Sequence, residues 1–244
     1  MSLEKIVAFD ADDVLFPLRK VLVDEFNRRF GTSLSIDGYN CFSFSGWLAR
    51  DHPEEHKVLM QNGGKFGFFR YVSEQGLLIN TPPYEGVVES LREISDSGKK
   101  IAIVSYRGTF QEPDIFYVNG PEETIEWLVK FKIPFDYIRF TDKKAAALSD
   151  LERRHNGKIL LFVEDHPANI IPAVNSGFNV AIMDKPYNKK TLVDETDDAT
   201  DYGRGTYTQA DWDKILEVAY RANSIFDIKW ILPIQERINA QAAL

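Results

Sequence analysis

The sequence predicts an α/β chain: a doubly wound parallel sheet flanked by helices, with a small, mainly helical insertion after the first strand. Three observations carry this. Short apolar runs recur and end in small or polar residues. Amphipathic stretches with helical spacing separate them. One interval, residues 16–82, holds no clear strand-like run and is too long for a loop.

The runs are Ile6 to Phe9, Ile101 to Val104, Tyr137 to Phe140, Ile159 to Val163 and Val180 to Met183. Their apolarity is largely continuous rather than alternating, which is the pattern of strands covered on both faces. Arg139 interrupts the third run, so that strand is the weakest of the five. Between the runs, Val87, Val88, Leu91 and Ile94 stand at helical spacing and Gly98 follows as a stop. Pro121 with Glu122 and Glu123 reads as a helix start, with proline early and acids in the first turn. "KKAAALSDLERR" and "PANIIPAVNSGF" read as two more helices. Strands alternating with helices predict the doubly wound arrangement.

The insertion is rich in aromatic residues, among them Phe42, Phe44, Trp47, Phe66, Phe68, Phe69 and Tyr71. The stretch from Asp211 to Leu244 is helical in character, with an apolar segment around Trp230 to Ile234. These readings divide the chain into a core of residues 1–15 and 83–222, a helical unit of 16–82, and a tail of 223–244. The tail is expected to pack on the sheet or on a second copy in a homodimer, and both stay open here.

Bulk properties narrow the partners. A net charge of −8 argues against a surface for nucleic-acid polymers or anionic membranes, which needs a basic patch. It leaves a small anionic substrate possible, because one site can be locally positive. Cys41 is the single cysteine, so no internal disulfide forms and a reducing compartment fits best. Glu4, Lys5 and Asp10 interrupt any signal-like apolar core, and the apolar runs are too short to span a bilayer. A soluble, cytoplasmic protein is the expectation.

Ligands of parallel α/β sheets bind at the carboxyl ends of strands. The first run ends in Asp10-Ala11-Asp12, followed by Asp13. The second ends in Ser105-Tyr106-Arg107, the third is followed by Lys143 and Lys144, and the fourth ends in Glu164-Asp165 with Asn169 just beyond. Clustered carboxylates demand a cation, and an oxygen-only set favours Mg²⁺, which keeps waters and accepts phosphate as a further ligand. Lysine and a hydroxyl supply charge and a donor for the remaining phosphoryl oxygens. A carboxylate in line with phosphorus can act as nucleophile, and a second can move the proton of the leaving alcohol and then of water.

"FDADDVL", "IVSYR", "TDKKAA" and "LLFVEDHPAN" resemble, in this order, the four motifs of the haloacid dehalogenase superfamily of aspartyl phosphatases. The resemblance implies a Rossmann-like core with the insertion as a type I cap. It implies Asp10 as nucleophile and metal ligand, Asp12 as general acid/base with its carbonyl on the metal, and Asp165 as the third ligand. Phosphate would be held by Ser105, with Tyr106 beside it, and by a lysine, for which spacing favours Lys144 over Lys143. Glu164 would orient that lysine, and Asn169 would stand behind the ligands or cap the next helix.

The details look most like the type C 5′(3′)-deoxyribonucleotidase branch, whose fourth motif resembles "EDHPAN". That implies a Mg²⁺-dependent hydrolase of nucleoside monophosphates, with sugar phosphates and other small esters as the alternative. In the cap, Trp47, Phe66 and Phe69 are candidates to stack on a base. Two departures from the branch stand out: Asp13 occupies a position where glycine is more usual, and Tyr106-Arg107 replaces a small residue and proline.

Blander readings compete. Asp12 or Asp13 could cap the helix that begins near Pro17, and Ser105 taken alone reads as a turn serine. A dehalogenase is a rival of the same superfamily, and a receiver-like or non-catalytic phosphate-binding module is a rival of another class. Asp12 argues against the first, since carbon–halogen cleavage needs no acid there. The long insertion and the Asp-x-Asp spacing argue against a receiver-like module, and the intact set of Asp10, Asp12, Ser105, Lys144 and Asp165 argues against a non-catalytic one.

Overall fold

The computed structural model describes residues 3–109, 116–189 and 208–242. Its six strands form one parallel sheet in the order β3-β2-β1-β4-β5-β6. They are β1 (Glu4–Phe9), β2 (Lys100–Ser105), β3 (Tyr137–Phe140), β4 (Gly157–Glu164), β5 (Val180–Met183) and β6 (Tyr220–Ala222). Five match the apolar runs. The sixth lies inside a stretch that reads as helical: it has only three residues, Arg221 is one of them, and it pairs along β5.

The continuous apolarity has the expected cause. Val7 and Phe9 of β1, with Ile101 and Ile103 of β2, point to one side, where α6 (Val87–Asp96), α7 (Gly120–Lys130) and α11 (Ile228–Ala242) cover them. Ile6 and Ala8, with Ala102 and Val104, point to the other, against α8 (Lys144–His155), α9 (Pro167–Asn175) and α10 (Gln209–Val218). The edge strand β3 is only half-buried throughout, which is why it tolerates Arg139. Of the two places left open for the tail, α11 takes the sheet: Ile228, Ile231 and Leu232 are buried against the core.

Between β1 and α6 the chain forms α1 (Leu18–Phe30), α2 (Phe44–Asp51), α3 (Pro53–Gln61), α4 (Gly64–Glu74) and α5 (Leu77–Asn80), with no strand. Their own aromatic core includes Phe26, Phe44 and Phe68, whose rings stand 5.4–5.6 Å apart. No helix among the described residues is long and apolar enough to cross a membrane.

Candidate active site

The sheet order puts β1 between β2 and β4, so the carboxyl ends of three central strands meet. Asp10 follows β1 and its N–H donates to the Val163 carbonyl of β4 (2.9 Å). A tight loop then folds back over the strand end: the Ala11 carbonyl accepts from both Leu15 and Phe16, and the Asp13 N–H donates to Phe16 (2.7 Å). Asp13 turns this loop with φ +56°, the left-handed region that aspartate tolerates better than most side chains. That accounts for glycine being the more usual residue in the related motif. Its carboxylate accepts the Arg19 backbone N–H in the first turn of α1 (3.2 Å) and the Tyr84 hydroxyl (3.2 Å). Asp13 therefore serves the helix start, while the N-cap position itself is Pro17.

At the floor, the Lys144 ammonium stands 2.7 Å from Asp10 and 2.8 Å from Glu164. Glu164 is fully buried, and its other oxygen accepts the backbone N–H groups of Asp165 and His166, each at 3.1 Å. Asp165 accepts the Tyr187 hydroxyl, and its carbonyl accepts Asn188 Nδ2 (2.7 Å). Asp10, Glu164 and Asp165 each offer an oxygen within 4.8 Å of the others.

Lys144 pairs with Asp10 and Glu164, and Lys185 acts on Asp165, so two ammonium groups face three buried carboxylates and leave a negative charge unbalanced. Burial, reinforced by Glu164, pushes Asp10 up to about 8 despite Lys144. Burial and repulsion from Asp10 and Asp13 push Asp165 up to about 7. Burial works against the charge of Lys144, but Asp10 and Glu164 outweigh it and hold the lysine above its ordinary range. A small divalent cation fits this deficit in charge and in ligand type, since all the donors are hard oxygens.

Ser105 ends β2 with a buried hydroxyl that has no hydrogen-bond partner among the described residues. Such a group calls for a ligand or a water. Ser105 is not among the residues that line the cavity; Tyr106, Lys144, Asp165 and Asn169 are, together with Asp10, Asp12 and Asp13. Lys143 does not join them. It is exposed at the N-cap of α8, where its backbone N–H donates to Thr141 (3.0 Å), because the helix turns only one of two adjacent side chains inward.

The cap candidates divide as well. Phe69 lines the cavity. Trp47 is fully buried in the helical unit, stacked on Tyr39 at 4.7 Å, and Phe66 is exposed and packs against Phe116, which lines the cavity in its place. Neither reaches the cavity, so the expectation that they face a substrate is corrected. Phe42, whose ring centroid is 3.7 Å from that of His166, lines it instead.

Besides Phe42, three further residues at the site were not among the candidates. Arg107 is fully buried and grips Asp12: Nε lies 3.1 and 3.0 Å from the two carboxylate oxygens, and Nη2 reaches one of them. Tyr187 follows β5, at a strand end that the same rule of placement would have flagged. Arg19 lies between the rings of Tyr39 and Tyr187, its guanidinium carbon 3.8 and 4.5 Å from their centroids.

The parallel sheet with acids at its carboxyl edge has the fold of haloacid dehalogenase-like proteins. Solved structures agree on the fold. A haloacid dehalogenase-like family hydrolase from Streptococcus pneumoniae aligns with a TM-score of 0.56 at 14% identity, over 94% of this chain and 98% of that one. A protein described as a predicted phosphatase from Clostridium acetobutylicum gives 0.55 at 16%, over 95% and 100%. An L-2-haloacid dehalogenase gives 0.51 at 13%, over 93% and 98%. No curated protein matches the sequence. The family model "5′ nucleotidase, deoxy (Pyrimidine), cytosolic type C protein" matches residues 4–201. The chain belongs to this family, and it is a phosphoric monoester hydrolase.

Proposed function

We propose that the chain is a Mg²⁺-dependent nucleotidase that hydrolyses nucleoside monophosphates through a phospho-aspartate on Asp10. The observation that carries this reading is the cluster of Asp10, Glu164 and Asp165 at the carboxyl edge of the sheet, the edge at which β2 also ends in the Ser105 hydroxyl, unpartnered among the described residues. Asp10, Asp165 and the Asp12 carbonyl would hold the cation. When bound, it neutralises the acids and the phosphate oxygens that approach them.

The chain's own groups do the rest. Lys144 helps keep Asp10 ionised and offers positive charge to the phosphate. Ser105 donates to a phosphoryl oxygen. Asp10 attacks phosphorus, the bond to the leaving oxygen breaks, and that oxygen takes the proton of Asp12. Asp12 then removes a proton from water, which attacks the phospho-aspartate, releases phosphate and restores the Asp10 carboxylate. The helical unit of residues 16–82 acts as the cap, with Phe42 and Phe69 available to a base. The family description and the lone cysteine support a cytosolic setting.

The test is phosphate release from nucleoside monophosphates and sugar phosphates, in Mg²⁺ and in EDTA, with wild type and Asp10→Asn. Release should require Mg²⁺, rank nucleotides first, and fall on the order of 10⁴-fold or more in Asp10→Asn. Equal turnover of sugar phosphates would remove the nucleotidase assignment. Activity that survives in Asp10→Asn would remove the mechanism.

A further inference from the structure

We propose that Arg107 is a positioning residue for Asp12, holding its carboxylate at the angle from which it protonates the leaving oxygen. The inference rests on the mechanism above. Asp12 lines the cavity, with 18% of its side chain exposed, and the Arg107 side chain behind it is wholly buried. The guanidinium engages both oxygens of Asp12, so it fixes the plane of the carboxylate as well as its place.

Arg107 is itself held on several sides. Its guanidinium carbon stands 4.5 Å from the centroid of the Phe16 ring, and Phe16 closes the loop that carries Asp12. Nη1 lies 3.5 Å from Thr124 Oγ1 on α7, and that hydroxyl donates to the Gly120 carbonyl (2.6 Å). The start of α7 presses on the Arg107 backbone so closely that a methyl group at Gly120 would stand 1.8 Å from the Arg107 carbonyl oxygen. A group spent only on fold stability would not need to face a carboxylate at the cavity wall.

The chemistry separates positioning from other roles. An alkoxide leaves poorly and needs the proton, whereas p-nitrophenolate leaves without it. The quantity to compare is kcat/KM, which covers only the steps through departure of the alcohol, so water attack on the phospho-aspartate does not enter.

The experiment measures kcat/KM of wild type, Arg107→Met and Arg107→Lys for a nucleoside monophosphate and for p-nitrophenyl phosphate, with melting temperatures recorded for each protein. In Arg107→Met the nucleotide value should fall by about 30-fold or more, as expected for loss of general acid catalysis, and the aryl value by less than about threefold. Arg107→Lys keeps the charge but not the two-oxygen grip, and should show the same split at smaller size. In an Asp12→Asn background, Arg107→Met should add no further split.

Equal losses on both esters would make Arg107 a phosphate-binding or purely structural residue and overturn the inference. Unchanged values for both would overturn it too. If Arg107→Met does not fold, Arg107→Lys decides alone. Wild type inactive on both esters would bring down the functional reading and this inference with it, a result distinct from an active wild type without the split.

Discussion

Two groups of acids share one cavity and solve the same electrostatic problem in different ways. Asp12 has a cation of its own, a buried arginine that meets both its oxygens. Asp10 and Glu164 share Lys144, Asp165 feels the charge of Lys185, and burial raises all three above the ordinary carboxylate range. Charge that is balanced inside the protein fixes a geometry. Charge left unbalanced makes a place for a ligand, because each uncompensated buried carboxylate costs free energy until a cation arrives. The contrast separates a group meant to stay still from groups meant to bind.

The strongest way to break this contrast is to remove the lysine that pairs with two of the three acids. Lys144→Met leaves three buried acids facing one another. Loss of one partner from a buried pair typically costs about 3–5 kcal/mol. Chemical denaturation in EDTA should show a loss of that order, and phosphate release should fall by about 100-fold or more, as for removal of a main electrostatic contact. A variant as stable as wild type in EDTA would mean that Lys144 is not what holds the cluster together.

Proton and metal compete for the same oxygens, which gives a second and smaller effect. Asp10 titrates near 8 and Asp165 near 7 in the fold, both above the unfolded value of about 4. A raised carboxylate contributes stability that is complete below the unfolded value and is lost as pH rises through the folded one. In EDTA, these two groups should therefore lower the melting temperature from about pH 4 up to about pH 8, each kcal/mol being worth roughly 2–4 °C for a chain of this size. Mg²⁺ binds the deprotonated oxygens, so its stabilising increment should grow over the same window. Thermal melts with Mg²⁺ and with EDTA across that range measure the difference. An increment that is flat or shrinks with pH would put the cation elsewhere.

The sequence exposed these two groups unequally. The strand-end rule located Asp10, Glu164 and Asp165 at the ends of runs whose apolarity marks a buried strand, and Lys144 beyond the half-buried run of β3. The run Tyr137–Phe140 is the whole of β3 despite Arg139. The same rule placed Arg107 in the right loop but could not say which way it turns. Its grip on Asp12 depends on α7 closing over it, a contact between residues far apart in the chain. In the cap, Phe66, Phe68 and Phe69 stand within one turn of α4, and Trp47 sits in an eight-residue helix. Periodicity that short does not tell the cap's own core from the wall of a cavity. The strand β6 escaped because three residues with an arginine at the centre carry no pattern.

Tyr187 offers the finest cut between holding a group still and leaving it free to bind. Its hydroxyl donates to the Asp165 carboxylate, and its ring lies 4.5 Å from the Arg19 guanidinium carbon. Tyr187→Phe removes the first contact and keeps the second, so the fold should hold. What changes is the aim of Asp165 and the ease with which it ionises, because the tyrosine bond is one of the contacts that lower its titration. Partners behind a metal ligand commonly contribute 10–100-fold to metal affinity. Here the lower end is expected, since Asn188 still anchors Asp165 through its carbonyl. Calorimetric titration with Mg²⁺ should show about tenfold weaker binding, with kcat at saturating Mg²⁺ within about threefold of wild type. Unchanged affinity would mean that Asp165 needs no help from Tyr187, and that Tyr187 matters only through the arginine it covers.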